Sequence, residues 1–386
     1  MTTWKIYKLG DIAKFQTGKL NSNAAVENGK YPFFTCSPTT LSIDTYAFDK
    51  EAILLAGNNA EGNFSIKYYK GKFNAYQRTY IIETYNDICD IKFLFYALKI
   101  CLHQFKQMSQ GTSTKFLTAV ILNNFEISLP SLEEQRRIAG ILSAIDDKIE
   151  NNRRINANLE LQAQALYKQW FVDFEFPNDE GKPYKSSGGK MIDSELGQIP
   201  KGWSVGDIYR DVKVIYGAPY KSTLFNENKE GNPLIRIRDL KTFSPQYYTQ
   251  EILPNTEYVN AGDVVAGMDA EFVPCLWMGE KGVLNQRCCK FVGKQDSISN
   301  YYVMFLVKPE LEFVQSYKTG TTVSHLGKTD IDKFIVVQPP MTVIEKFSKI
   351  ADALLNNKIK LAKENITLAT LCDTLLPKLM NGEIKL

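Results

Sequence analysis

The chain has 386 residues, 44% of them hydrophobic, enough for two or three domains that each bury a core, which excludes a disordered chain. A formal net charge of +3 is too small to identify a nucleic-acid partner from composition. Seven scattered cysteines without a Cys-x-x-Cys pair suggest neither a disulfide framework nor a zinc site, and fit a reducing cytoplasm.

In chain order, Met1 to Gly10 carries no apolar leader, and the longest apolar runs, such as Phe93 to Leu98, fall far short of the ~20 residues of a membrane span. A chain that is neither exported nor membrane-bound is expected. Short strands bounded by turn signals are predicted through roughly residue 125, among them Ala52 to Ala56, Thr79 to Thr84 and Phe125 to Leu129. Lys67, Lys70, Lys72 and Arg78 interleave with Tyr68, Tyr69, Phe73, Tyr76 and Tyr80. That mixture supplies phosphate neutralisation beside stacking surfaces, and it equally fits a half-exposed strand pair with a solvated face.

Pro130 followed by Ser131-Leu-Glu-Glu134 announces a helix with a capping box. Within it Ile138, Leu142, Ile145, Ile149, Asn152, Asn156, Leu159, Ala163 and Leu166 advance in alternating steps of four and three, the pattern of a coiled-coil seam. Asn152 and Asn156 fix register in such a seam or mark a wet gap in it. The helix is predicted to end before Pro177, where a polar linker to Trp203 begins, containing Ser186-Ser187-Gly188-Gly189.

Beyond the linker the chain restates itself. Gly10-Asp11-Ile12, after Trp4, is echoed by Gly206-Asp207-Ile208 after Trp203, and Gly71 to Arg78 has a looser counterpart in Gly282 to Arg287. Gly111-Thr112, Leu117, Phe125 and Pro130 match Gly320-Thr321, Leu326, Phe334 and Pro339 at a constant offset of 209. Pro339-Pro340 and a capping box at Thr342-Val-Ile-Glu345 announce a second helix. Its predicted seam is Phe347, Ile350, Leu354, Asn357, Leu361, Glu364, Leu368, Leu371 and Leu375, weakening at Pro377 and stopping near Asn381-Gly382. Each helix of roughly 35 to 40 residues is about 50 to 60 Å long, more than one small domain can bury, so the two are expected to pack on each other.

Motifs of nucleic-acid chemistry are missing. Pro339-Pro340, between Gln338 and Met341, is a helix start and not the Asn/Asp-Pro-Pro-aromatic loop that holds a flipped adenine. Gly188-Gly189-Lys190 lies in the linker, and no phosphate-binding G-x-x-x-x-G-K-[ST] loop occurs. His103 and His325 are a whole repeat apart, Asp146-Asp147 falls on the helix, and Asp87 and Asp90 sit in a turn-like segment. Neither a catalytic residue nor a metal ligand is expected.

Three stretches carry a resemblance: Leu132-Glu-Glu-Gln-Arg-Arg-Ile-Ala-Gly-Ile-Leu-Ser-Ala-Ile-Asp-Asp-Lys-Ile149, Ala165-Leu-Tyr-Lys-Gln-Trp-Phe-Val-Asp-Phe174, and Gly181-Lys-Pro-Tyr-Lys-Ser-Ser-Gly-Gly189 continued by Asp193-Ser-Glu-Leu-Gly-Gln-Ile-Pro-Lys-Gly-Trp203. They closely resemble the central region of type I restriction-modification specificity subunits, and the duplicated layout extends the likeness along the chain. The resemblance implies an α+β chain with a pseudo-twofold internal repeat: two β-rich target recognition domains at 1–130 and 203–339, and two long helices at 131–176 and 340–386 packed as an antiparallel coiled coil, with a linker at 177–202. It implies that each domain reads half of an asymmetric, split site in double-stranded DNA while the helices set the spacing and dock two modification subunits. At ~3.4 Å per base pair, helices of roughly 50 Å suit domain centres a little over one DNA turn apart. It further implies restriction/translocase subunits in the full complex, with S-adenosylmethionine, ATP and magnesium on the partner subunits and none in this chain.

Recognition domains are the variable part of such subunits, so no base-contacting residue carries over. On chemistry alone the candidates are Lys67, Lys70, Lys72, Gln77, Arg78 and Lys115 in the first domain, and Arg236, Arg238, Lys241, Gln286 and Arg287 in the second. Arg and Gln can bond base edges bidentately, whereas Lys more often holds phosphate. A coiled-coil scaffold with protein-binding domains, and a divergent self-contained methyltransferase or nuclease, are the other readings left open.

Overall fold

In a computed structural model of the chain, residues 4–85, 87–318 and 324–384 are described. They form two units, Met1–Ile149 with Leu368–Leu386, and Glu150–Thr367. Gly320-Thr321 of the sequence repeat lies outside the described residues. No helix among the described residues is long and apolar enough to cross a membrane.

The first unit begins with β1 (Lys5–Lys8), the turn α1 (Leu9–Ile12), β2 (Ala13–Thr17), β3 (Tyr31–Phe34), β4 (Leu41–Ile43), β5 (Phe48–Ala56), β6 (Asn58–Asn59), β7 (Ile66–Ala75) and β8 (Thr79–Thr84). Helices α2 (Ile91–Ile100) and α3 (Leu102–Met108), β9 (Lys115–Phe116), α4 (Ala119–Asn124) and β10 (Glu126–Leu129) lead to the long α5 (Leu132–Tyr167). Six strands make one sheet in the order β2-β8-β5-β7-β3-β4. The apolar run of β5 is buried on both faces. Ile53 and Leu55 join Phe93, Leu94 and Leu98 of α2, and Ala52 and Leu54 join Phe34, Phe73 and Ile81 opposite. Asp90 starts α2 by accepting from the Phe93 N–H at 3.0 Å, which satisfies a first-turn donor. Outside the sheet β1 pairs antiparallel with β10, Lys5 opposite Leu129 and Lys8 opposite Glu126, so the entering and leaving strands lie side by side. Ile138, Ala139 and Leu142 of α5 share the main core with Cys372, Leu376 and Leu379 from the C-terminal helix.

In the second unit α5 continues into a π-helical segment, Lys168–Val172, that buries Trp170 and Phe171. The polar linker is itself folded: β11 (Met191–Ser194) and β12 (Gly197–Pro200) form a hairpin. Phe176 stacks between Tyr184 and Trp203 with ring centroids at 4.7 and 5.1 Å. Then come β13 (Ser204–Asp207), β14 (Val212–Tyr216), β15 (Phe225–Asn226), β16 (Asn232–Ile235), β17 (Tyr248–Thr249), β18 (Tyr258–Val259), β19 (Val264–Gly267), β20 (Cys275–Leu276), β21 (Gly282–Leu284) and β22 (Cys288–Gly293). Helices α6 (Asn300–Lys318) and α7 (Lys328–Ile331), strand β23 (Ile335–Gln338) and helix α8 (Met341–Met380) end the chain. The strands form a four-stranded sheet, β14-β22-β19-β20, and a five-stranded one, β15-β17-β16-β21-β18. Strand β19 plays the part of β5: Val264 and Ala266 pack with Tyr301 and Phe305 of α6, and Val265 packs with Ile235 and Trp277. Likewise β13 pairs with β23 as β1 does with β10, Ser204 opposite Gln338 and Asp207 opposite Ile335.

The long helices have 36 and 40 residues, about 54 and 60 Å. Ser131 Oγ accepts from the Glu134 N–H at 3.2 Å, as its capping role requires. The second start differs from expectation: α8 begins at Met341, and the Ile344 N–H reaches the Pro340 carbonyl at 3.3 Å. Thr342 is therefore inside the first turn and not its cap, because the helix forms directly behind the second proline. Pro377 lies inside α8, which runs on to Met380 and closes at Gly382 with φ of 74°.

Along α5 the residues Ile138, Leu142, Ile145, Asn152, Leu159 and Ala163 are buried, with Ile149, Asn156 and Leu166 half-buried. In the second unit Asn152 donates to Glu364 Oε2 and Asn365 Oδ1, both at 2.9 Å. On α8 Phe347 of the predicted seam is buried, and from Ile350 onward the most buried positions lie one residue further along. Ile350 and Leu371 are 47% and 44% exposed, and Asn357 is exposed as well. Leu354, Leu361, Glu364, Leu368 and Leu375 are half-buried. The buried stripe is Phe347, Ala351, Leu355, Lys358 and Ala362 in the second unit, and Cys372, Leu376 and Leu379 in the first. Lys358 reaches this stripe because its ammonium bonds the Glu160 carboxylate.

Candidate nucleic-acid interface

The interleaved lysines of β7 do not make one surface. Lys67 lies on the face of Phe34, 5.8 Å above that ring, and donates to the Ser37 carbonyl at 2.9 Å. Burial holds its ammonium below the ordinary lysine value, with Cys36 acting in the opposite sense. Lys70 turns to the other face and pairs with Glu51 at 3.6 Å. Lys72 sits 4.7 Å over the Tyr46 ring. These side chains are engaged within their own domain, the first two by polar contacts.

Gln77 and Arg78 occupy the turn between β7 and β8, and its backbone is pinned from several directions. The Gln77 N–H donates to the Leu20 carbonyl at 2.9 Å, the Thr79 N–H to Tyr76 at 2.8 Å, and the Gly57 N–H to the Arg78 carbonyl at 2.8 Å. Leu117 N–H then donates to Gly57 at 2.9 Å, tying in the β6–β9 ladder, where Asn58 faces Phe116 and Asn59 faces Lys115. Glycine is required where the chains meet: a Cβ on Gly18 would lie 1.9 Å from the Ala75 carbonyl oxygen. Above this frame Arg78 is exposed over the Phe116 ring at 5.4 Å, and Gln77 donates to Asn21 Oδ1 at 2.8 Å.

The second domain rebuilds the frame around Gln286 and Arg287. The Gln286 N–H donates to the Ala218 carbonyl at 2.9 Å, the Cys288 N–H to Asn285 at 2.9 Å, the Met268 N–H to Arg287 at 2.8 Å, and the Leu326 N–H to Met268 at 2.7 Å. A Cβ on Gly217 would lie 2.1 Å from the Asn285 carbonyl oxygen, as at Gly18. The place of Asn58 opposite Phe116 is taken by Asp269 opposite His325. Arg287 Nη1 lies 3.3 Å from the Asp269 carboxylate, whose other oxygen is 2.8 Å from His325 Nδ1. One domain thus holds its arginine on an aromatic face and the other holds it on a carboxylate.

The other second-domain candidates separate. Arg236 stacks on Tyr247 at 4.2 Å and lies 3.8 Å from the buried Asp239, a local structural role. Burial raises the Asp239 carboxyl, and the Arg236 contacts oppose that rise. Lys241 pairs with Glu271 at 2.7 Å, and Arg238 is exposed. Among the described residues no group of three His, Cys, Asp or Glu side chains could hold a metal ion. In the sequence neither Phe116 nor Asp269 is singled out, and His325 is weighed only as a catalytic residue. The offset of 209 that aligns Leu117 with Leu326 also aligns Phe116 with His325, and that was the available signal.

A family model described as the type I restriction modification DNA specificity domain matches residues 1–161 and 203–369. The chain is 31% identical over 278 residues to the specificity subunit of the type I restriction enzyme EcoDI from Escherichia coli, covering 65% of this chain and 61% of that protein. It is 28% identical over 321 residues to the MjaIX specificity subunit from Methanocaldococcus jannaschii, covering 76% and 69%. Among solved structures, the S subunit of a type I restriction-modification system from M. genitalium has a TM-score of 0.61 at 16% identity, covering 98% of this chain and 96% of that one. This last is a likeness of fold.

Proposed function

Because this chain belongs to the type I restriction modification DNA specificity family, we propose that it reads an asymmetric, bipartite site in double-stranded DNA. It does so as the non-catalytic specificity subunit of a cytoplasmic type I complex. The observation that carries the reading is the doubled frame: Gln77-Arg78 and Gln286-Arg287 stand on turns pinned by corresponding backbone hydrogen bonds. The strands leading to those turns differ in number and order between the domains. A common frame with different surroundings suits two domains that read different half-sites.

Between the half-sites lie base pairs of arbitrary sequence, their number fixed by α5 and α8. The contacts of Asn152 with Glu364 and Asn365, and of Glu160 with Lys358, support an antiparallel pairing of these helices. The repeated helix faces dock two modification subunits, and through them the restriction/translocase subunits. S-adenosylmethionine, ATP and magnesium act on those partners.

The test is reconstitution of the full chain with its modification partner and S-adenosylmethionine, followed by sequencing of the methylated adenines in plasmid DNA. A two-part asymmetric motif with a fixed gap is expected. Methylation without sequence preference, or no complex with the partner, would refute the reading.

A further inference from the structure

Of the eleven candidate DNA contacts, two pairs recur at matching places in both domains, Gln77 with Gln286 and Arg78 with Arg287. Gln77 donates one N–H to Asn21 Oδ1, and Arg78 and Arg287 present exposed side chains above a fixed backbone. We propose that Arg78 and Arg287 are the matched specificity-determining residues of the two domains, each reading a guanine in its own half-site. This inference rests on the DNA-reading function and assigns it to two side chains.

Three observations carry it. The carbonyls of both arginines accept from Gly57 and Met268 at 2.8 Å, so the side chains start from fixed points. Among the described residues each guanidinium has one side-chain brace: the Phe116 ring, which takes no N–H donor, and Asp269, reached by Nη1 at 3.3 Å. Arginine carries five donors, so in both cases enough are left to form the two parallel bonds that guanine O6 and N7 accept. A phosphate contact would be served as well by lysine, and neither turn uses one.

Phe116 and Asp269 act here as positioning residues. They orient the guanidinium before DNA arrives, one without charge and one through an ion pair, which makes the two half-sites respond differently to the same kind of substitution.

The experiment uses the full chain in complex with its modification partner. Binding is measured on the wild-type site and on sites in which each base pair is replaced in turn, across a salt series. In Arg78→Lys, discrimination at one G·C pair of one half-site falls about 5- to 150-fold, and non-specific affinity and its salt dependence stay as in the wild type. Arg287→Lys does the same at one G·C pair of the other half. Phe116→Leu weakens discrimination at the Arg78 base pair and has no further effect in the Arg78→Lys background, which a general loss of structure would not reproduce. Unchanged discrimination in both lysine variants overturns the inference while wild-type specificity upholds the DNA-reading function. So does relaxation of the same half by both. Arg→Ala variants that weaken all sequences equally and lower the salt slope by about one assign the residues to phosphate and overturn it too. A wild-type complex without any sequence discrimination removes the DNA-reading function, and this inference with it.

Discussion

Asp330 joins the end of one helix to the start of the next. Its carboxylate accepts from Lys318 Nζ at 2.6 Å and from the Gly327 N–H at 2.8 Å. Burial alone raises this carboxyl, but the Lys318 hydrogen bond, the Gly327 N–H and nearby positive charge outweigh it and hold the group below its ordinary value of 3.8. A depressed folded value means that the stabilisation is complete above the unfolded pKa and is lost as pH falls through the folded one. Asp330→Asn is therefore expected to lower stability at pH 7 by about 1–3 kcal/mol, and the gap from wild type should close in acid, as pH falls through the depressed folded pKa. Urea titrations at pH 7 and in acid measure it. Gly18→Ala should be costly at every pH, because its Cβ would meet the Ala75 carbonyl at 1.9 Å. Such residues were hard to find in the sequence. Arg78 and Arg287 were legible as cations, whereas Phe116, Asp269 and His325 take their meaning from partners tens of residues away.

The two long helices were the most legible elements, since a proline precedes each start, Ser131 caps the first, and an apolar period runs through both. The register of α8 was not. Ile350, Leu354, Leu361 and Leu371 form one apolar phase, and Phe347, Ala351, Leu355, Ala362, Cys372 and Leu376 form the adjacent one. The buried phase contains alanines, a cysteine and Lys358, so its hydrophobicity understates its burial. Asn152 is fully buried. Asn152→Ala removes two hydrogen bonds, one to a carboxylate, and should destabilise the protein by about 1–3 kcal/mol in chemical denaturation. Inserting residues after Leu166 should change the number of unread base pairs or weaken assembly and leave the half-site bases unaltered. Sequencing methylated sites distinguishes these outcomes from a changed half-site, which would count against the helices as rulers.

On the scale of the whole molecule, duplication is easiest to read near the helices and fades inside the domains. The pairing of β1 with β10 is matched by that of β13 with β23. In between, the first unit has one six-stranded sheet and the second has sheets of four and five strands. Sequence similarity survives where both copies must meet the same geometry, and it is lost where strand length and turn choice can vary. Salt should act on the molecule as a whole: if its cations hold DNA phosphates, log affinity of the assembled complex falls linearly with log salt, and a flat response would exclude that electrostatic contribution.

The first unit takes its core from two distant stretches of the chain, with Cys372, Leu376 and Leu379 lying among Ile138, Leu142 and Phe93. At about 5–20 residues per second, the ribosome needs roughly 10–40 s to travel from Ile149 to Leu368. For all of that time the nascent first unit presents an apolar stripe awaiting its cover. An interrupted transcript that stops at Thr367 would leave the stripe bare permanently, marking the fragment for chaperones and proteases. Translation through Leu379 is thereby a condition for a finished first unit.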